Sequence, residues 1–186
     1  MRGIENKNIL DEFCTKFCNV VARHCKYIVV SGFVAISSGR TRATEDIDMI
    51  IEKLDFERFK KLHEDLIENG FVCMQSDSID DAFSYLQERI SLRYTEKDEP
   101  LPEMEMKFAK DELDDYQIQT RTKLPLTGLD VYFSNINMNI AFKEELLKSE
   151  KDLKDAEYLR KIYPKLVNEE EINRIKQMIK RLRLNE

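Results

Sequence analysis

No stretch of this sequence stays apolar for long enough to cross a bilayer, and the opening MRGIENKNIL has no apolar segment of the kind that directs secretion. Both absences make the cytoplasm the expected compartment and leave the membrane out as a partner. An excess of positive charge is missing too: 30 basic against 36 acidic residues give a formal net charge of −6, which argues against a generally basic nucleic-acid binder. The local exception is the acid-free stretch from Ile172 to Asn185, with Arg174, Lys176, Lys180, Arg181 and Arg183. It reads as a solvated face in preference to a contact for RNA phosphates. Cysteine is sparse, at Cys14, Cys18, Cys25 and Cys73, and even with His24 added the spacing is not that of a zinc knuckle or finger. Cys14 falls in the apolar stripe Leu10, Phe13, Cys14, Phe17 and Val21, so buried free thiols in a helix are the better account.

What is present is a chain of 186 residues, 42% hydrophobic and 35% charged, long enough to bury a core. Apolar residues at helical spacing predict an amphipathic helix from Asn6 to Cys25. Tyr27 to Ser31 is a nearly all-apolar strand, expected in the interior of a sheet. Asp55 caps a helix with Phe56, Phe59, Leu62 and Leu66 on one face, ended by Asn69-Gly70; the strand Phe71 to Met74 follows, so the helix is a crossover packed on the sheet. His63 within it reads as a surface or boundary residue. Ser78 opens a helix to about Glu88, Ile90 to Tyr94 is a strand, and Thr95 to Pro102 is a polar turn with two prolines. In PEMEMKFAK, Met104, Met106 and Phe108 alternate with Glu103, Glu105 and Lys107, the period of a half-buried strand. Asp111 to Gln119 is a short acidic helix, and Thr127-Gly128 turns a hairpin between Thr120–Leu126 and Leu129–Ser134. From Ile136 the pattern is helical: Ile136, Ile140 and Leu147, then a Ser149-capped helix with Leu153, Ala156, Leu159 and Tyr163, then after Pro164 an Asn168-capped helix with Ile172, Ile175, Ile179 and Leu182. The expected division is an α/β core over residues 1–135 and a helical segment over 136–186 packed on it.

The stretch that carries chemistry is Ser31 to Asp48, SGFVAISSGRTRATEDID, preceded by YIVV. It reads as strand, tight turn, short helix, loop and strand. Side chains alternate along a strand, so Asp46 and Asp48 project from one face and Ile47 from the other. Two carboxylates side by side repel each other. A divalent cation relieves that repulsion, and hard cations take carboxylate oxygens together with substrate phosphates.

The order apolar strand, Val30-Ser31-Gly32, a gap, and Asp46-Ile47-Asp48 resembles the nucleotidyltransferase superfamily of DNA polymerase β, and most closely its small stand-alone prokaryotic members, the AbiEii-like type. The resemblance implies a small mixed sheet flanked by helices, with Asp46 and Asp48 holding Mg²⁺ or Mn²⁺. It also implies a nucleoside triphosphate as substrate, lying against Ser31 and Gly32 and the loop with Arg40, Arg42 and Thr44. Those arginines have a second reading, in which one pairs with Glu45 or an aspartate to hold the loop. One position departs from the pattern: Phe33 stands where a second small residue is expected, and a ring there would crowd a phosphate.

The superfamily places a third carboxylate on a neighbouring strand. Glu105 is the choice for a catalytic and metal-binding role, with Glu103 and Asp130 as rivals. The AbiEii-like type also carries a helical lysine and then a Lys-Asp-x-x-Asp signature. Here these are Lys143, or else Lys148, and Lys151-Asp152-Leu153-Lys154-Asp155. By resemblance the helical lysine contacts nucleotide phosphates and Asp152 or Asp155 orients it. The implied reaction moves a nucleoside monophosphate from an NTP to an RNA end, such as tRNA, or to a protein side chain. Toxin relatives add an antitoxin as an implied partner, and the helical tail suits a homodimer. The alternative is a catalytically silent module of the same fold that binds a nucleotide or a protein.

Overall fold

The structure is a computed structural model and describes residues 8–41, 44 and 46–184. Asn8 caps α1 (Ile9–Val21) through a reciprocal pair with Asp11, so the first helix is shorter at both ends than its apolar period suggested. β1 (Tyr27–Val30) leads into the short α2 (Gly32–Ser37), and β2 (Asp46–Ile51) follows the loop. α3 (Phe56–Glu68), capped by Asp55, connects β2 to β3 (Phe71–Cys73). Then come α4 (Ile79–Gln87), β4 (Leu92–Glu96), β5 (Glu99–Phe108) and α5 (Glu112–Gln119). The chain ends with α6 (Ile136–Phe142), a π-helical turn (Lys143–Leu147), α7 (Glu150–Ile162), α8 (Glu169–Ile179) and a second π-helical turn (Lys180–Leu184). Among the described residues no helix is long and apolar enough to cross a membrane.

The sheet order is β1-β2-β5-β4-β3. β2 and β5 are parallel and the other neighbours antiparallel. The β2–α3–β3 unit is thus a crossover, and the β4–β5 hairpin fills the gap it leaves. One sheet face packs Ile47, Met49 and Ile51 beside Met104, Met106 and Phe108 under the helices. The same apolar cluster takes in Ala156, Leu159 and Tyr163 of α7 and Ile172, Ile175 and Ile179 of α8, with Phe33, Val34 and Phe133 between.

Several expectations are corrected. β1 is the outermost strand, not an interior one. It is apolar because both faces are covered, Tyr27 and Val29 by the main core and Ile28 by Ile50 and Ile118 of α5. Only Lys97 and Asp98 form the polar turn. β5 runs through Pro100 and Pro102, because β2 pairing starts at Asp46 opposite Glu103 and the prolines lie beyond it, where no partner among the described residues of β2 needs their missing N–H. The hairpin around Gly128 is an irregular loop with single bridges, Thr122 to Phe133 and Phe133 to Val29. Leu153 is exposed. His63 is buried, its Nδ1 2.8 Å from the Tyr94 hydroxyl. The basic C-terminal face is not simply solvated. Arg183 pairs with Asp111 and Asp114, Arg181 with Glu112, Lys176 with Glu144 and Lys180 with Glu145, which fastens the chain end to α5 and the first π-turn.

Candidate active site

The helix-free part of the second sheet face carries the charged residues. Register pairs put directly opposed side chains on one face. Across it, Asp46 stands opposite Glu103. The next row runs Val30, Asp48, Glu105, Arg93 over four strands. The row behind that is Ile28, Ile50, Lys107. Two like-charged carboxylate pairs therefore sit side by side on neighbouring strands. Glu105 is the acid beside Asp48, and Glu103 the acid beside Asp46. Arg93 lies near both, 3.6 Å from Glu103 and 3.8 Å from Glu105. Asp130, the third rival, is 82% exposed, paired with Lys123, and does not line either hollow in the sheet face.

Burial holds Asp48 above the ordinary carboxylate range. Glu105 and Asp46 add to the rise, while Lys107 and the Ser31 hydroxyl, which donates to the carboxylate, oppose it. Ser31 takes a left-handed backbone conformation, φ +68°, that favours glycine. Gly32 follows it as the first residue of α2. Phe33 is one residue further on. Its ring is 1% exposed and stacks on Phe133 with centroids 6.5 Å apart, so it belongs to the core and does not crowd the site.

A cavity of about 410 Å³ lies against this row, bounded by Ser31 and Asp48 at one end and by α5, α6 and the C-terminal turn at the other. Its apolar wall is Val30, Ile50, Phe108, Met138, Phe142 and Leu146. Its charged lining is mostly cationic: Arg89, Lys107, Lys110, Lys143 and Arg183 against Asp48 and Asp114. Burial first and Arg183 second lower the Lys110 ammonium pKa, with Asp114 and Asp111 opposing the fall. Lys107, Lys110, Arg89 and Arg183 were missed in the sequence. The signal for Lys107 was there, since it follows Glu105 by two on the same strand face; Arg89, Lys110 and Arg183 reach the cavity only through tertiary packing.

Lys143 is 1% exposed and lines the cavity, its Nζ 3.0 Å from Asp155 and 3.5 Å from Asp152. The helical lysine and the downstream aspartates are thus brought together. Lys148 instead pairs with Glu145. Arg40 pairs with Asp155 and donates to the Lys151 carbonyl at 3.5 Å; it does not line the cavity. Lys151 contributes that carbonyl, and its side chain is exposed. The Thr44 hydroxyl donates to the Asp46 carbonyl at 3.1 Å. Arg42 and Glu45 lie outside the described residues. His24 is bound to Asp65 at 2.6 Å, and Cys14 and Cys18 are buried side by side.

Asp46, Asp48 and Glu105 are hard oxygen donors whose mutual repulsion a divalent cation would relieve. Among the described residues no three His, Cys, Asp or Glu side chains already converge as a metal cage. Asp46 and Asp48 offer the donor type that suits Mg²⁺, which is commonly held by one or two carboxylates plus substrate phosphates.

No protein-family model and no curated protein matches the chain. Solved structures do. An antigenic nucleotidyltransferase-like protein from Paracoccidioides brasiliensis aligns at 16% identity and TM-score 0.54, over 94% of this chain and 89% of that one. ANT(2'')-Ia in complex with adenylyl-2''-tobramycin aligns at 15% identity and TM-score 0.52, over 93% and 98%. JHP933 from Helicobacter pylori aligns at 17% identity and TM-score 0.50, over 94% and 76%. At such identities the likeness is one of fold: a five-stranded mixed sheet flanked by helices, shared with nucleotidyltransferases.

Proposed function

We propose that the chain transfers a nucleoside monophosphate from an NTP to a hydroxyl acceptor and releases pyrophosphate. The observation that carries this reading is the pair of opposed carboxylates, Asp46 with Glu103 and Asp48 with Glu105, at the edge of a cation-lined cavity. Like charges directly opposed across strands are destabilising. A sheet face that keeps two such pairs beside several cations suits a ligand that is itself a cation–polyanion complex.

Asp46 and Asp48 would hold Mg²⁺ or Mn²⁺, with Glu105 as the third acid. Bound there, the metal would lower the acceptor hydroxyl's pKa and neutralise phosphate charge. Lys107, Lys110 and Lys143 bind the triphosphate, whose developing charge they are placed to stabilise. Asp155 and Asp152 fix the Lys143 ammonium, so it meets the phosphate without reorganising. Val30, Ile50, Phe142 and Leu146 cover the nucleoside and exclude water. The Glu105 carboxylate accepts the acceptor's proton as its oxygen bonds to the α-phosphorus and the bond to pyrophosphate breaks.

The Lys143–Asp155 pair supports the narrower AbiEii-like reading, with an RNA end or a protein side chain as acceptor and a toxin role beside an antitoxin. The silent-module alternative loses one of its two grounds, because Phe33 lies in the core. The test is incubation with Mg²⁺, each α-labelled NTP, and total tRNA or the protein itself. Label transfer that disappears in Asp46→Ala is the expected result. Nucleotide-dependent stabilisation with no transfer to any acceptor would favour the silent module.

A further inference from the structure

Two hollows open on the sheet face, and Asp48 and Glu105 stand between them. The cation-lined cavity reaches Val30, Ser31 and Asp48; a shallower trough toward β3 is lined by Met74, Gln75, Ile90, Arg93 and Glu105; Ser91 borders both. The row Val30, Asp48, Glu105, Arg93 therefore runs from the wall of one hollow to the wall of the other. Transfer at phosphorus sets the attacking and leaving oxygens roughly in line, on opposite sides. With pyrophosphate leaving on the Lys107 and Lys110 side, the acceptor hydroxyl arrives on the Glu105 and Arg93 side. The geometry points to the trough as the acceptor subsite, and to an acceptor whose hydroxyl lies beside a phosphate that Arg93 binds. This inference rests on the nucleotidyl-transfer reading and deepens it.

The trough is built for that ligand. Gln75 pins its floor: its Nε2 donates to the Ser91 carbonyl at 3.1 Å, and its Oε1 accepts from the Arg93 backbone N–H at 2.8 Å. The Arg93 guanidinium is beyond hydrogen-bond reach of Glu103 and Glu105, at 3.6 and 3.8 Å, and its side chain is half exposed. Its fork can turn to a phosphate without giving up a side-chain hydrogen bond to any described residue. Met74 and Ile90 are exposed on either side and offer apolar cover to the rest of the acceptor. Arg93 is the cationic side chain of the trough lining, beside the Glu105 carboxylate that takes the acceptor's proton. A cationic acceptor meets it as repulsion, and an uncharged polyol leaves its donors unanswered.

Natural methionines report on both hollows, Met138 in the cavity and Met74 in the trough. The full chain, labelled with ¹³C at methionine methyls, is first saturated with Mg²⁺ and non-hydrolysable NTP analogues. It is then titrated separately with glycerol 3-phosphate, a trinucleotide RNA with a free 3′ hydroxyl, glycerol and ethanolamine. The analogue is expected to move Met138. At least one phosphate-bearing probe is expected to move Met74, and which one does so separates a small-molecule source from an RNA end. Arg93→Gln should weaken that titration about tenfold or more, the scale of a charged hydrogen bond, with Arg93→Lys between. The Met138 response should be the same in both variants. A Met74 signal indifferent to both phosphate probes, moved as readily by ethanolamine, or unchanged in Arg93→Gln overturns the acceptor assignment. A Met138 signal indifferent to every NTP analogue overturns the nucleotidyl-transfer reading instead.

Discussion

Asp48→Asn is expected to stabilise the metal-free protein. Asp48 is opposed across the strands by Glu105 and shares its own strand face with Asp46. A like-charge pair of this kind costs about 0.2–1 kcal/mol, and Asp48 takes part in more than one, so about 1 kcal/mol is a fair total. Burial and the neighbouring carboxylates raise its pKa above the ordinary 3.8. The folded state therefore binds its proton more tightly than the unfolded chain does. Stability falls as pH rises through the window from 3.8 up to the folded value, and the cost is fully present at neutral pH. Asparagine keeps the shape and removes the charge. For a chain of this length the gain corresponds to about 2–4 °C in Tm. Thermal melts in EDTA near pH 7.5 should place Asp48→Asn above the parent, with the gap closing as the pH approaches 4. Mg²⁺ should reverse the order: at a hundred times its Kd it adds about 2.7 kcal/mol to the parent and much less to the variant. If Asp48→Asn melts below the parent in EDTA at neutral pH, the reasoning is refuted. The carboxylate would then be contributing net stability through Lys107 and Ser31.

Lys143→Met leaves the fully buried Asp155 carboxylate with Arg40 but without its lysine partner and should cost about 1–3 kcal/mol, read as a fall of several degrees in Tm. Lys148→Met, at an exposed pair, should stay within about 0.5 kcal/mol, and equal effects at the two positions would contradict the placement of Lys143. Lys107→Gln and Lys110→Gln should each weaken binding of inorganic tripolyphosphate about tenfold by calorimetry while leaving Tm nearly unchanged. Unaltered affinity in both would remove them from the phosphate site. Burial lowers the His63 pKa from 6.5, so the unfolded chain takes up that proton first, and stability present above pH 6.5 declines as the pH drops below it. Urea midpoints between about pH 7 and 5 should show this slope in the parent and lose it in His63→Gln.

Alternation and caps made most of the architecture readable. Asp55, Ser78, Ser149 and Asn168 all cap the helices that follow them, because their side chains answer backbone N–H groups a few residues away and need no tertiary partner. The period-two run Met104, Met106, Phe108 gave β5 its buried face for the same local reason. What local pattern does not carry is pairing partner and register. The choice between Glu103 and Glu105 depended on which residue of β5 stands opposite Asp48, a fact of the parallel pairing. The prolines near residue 100 suggested a turn, because nothing local says that β2 begins too late to need their N–H groups. Phe33 seemed to obstruct the site because nothing local says that its ring turns into the core against Phe133. The positive φ at Ser31 fixes the turn, and sequence offers no warning when serine occupies a position that favours glycine. The cations of the cavity arrive from β5, the π-helical turn after α6, the loops flanking α4 and α5, and the C-terminal turn, so no linear motif unites them.

That union has a further consequence. Down one face of β5 the charge changes sign, from Glu103 and Glu105 to Lys107, and the acids lie beside the more exposed start of β2 while the lysine faces the cavity. A free triphosphate approaching past Asp46 and Glu103 meets like charge before it reaches Lys107 and Lys110. The same triphosphate carrying a divalent cation meets complementary charge at each stage. NTP affinity should therefore depend on Mg²⁺ well beyond any change in the phosphates alone. Calorimetric titration of the parent with NTP in EDTA and in excess Mg²⁺ should differ by at least about tenfold, or 1.4 kcal/mol, in favour of Mg²⁺. Asp46→Asn with Asp48→Asn should shrink that difference by improving binding in EDTA, since the barrier they remove is repulsion. If the double variant instead binds more weakly under both conditions, the carboxylates orient the nucleotide directly, and the sign change along β5 does not select the form in which it enters.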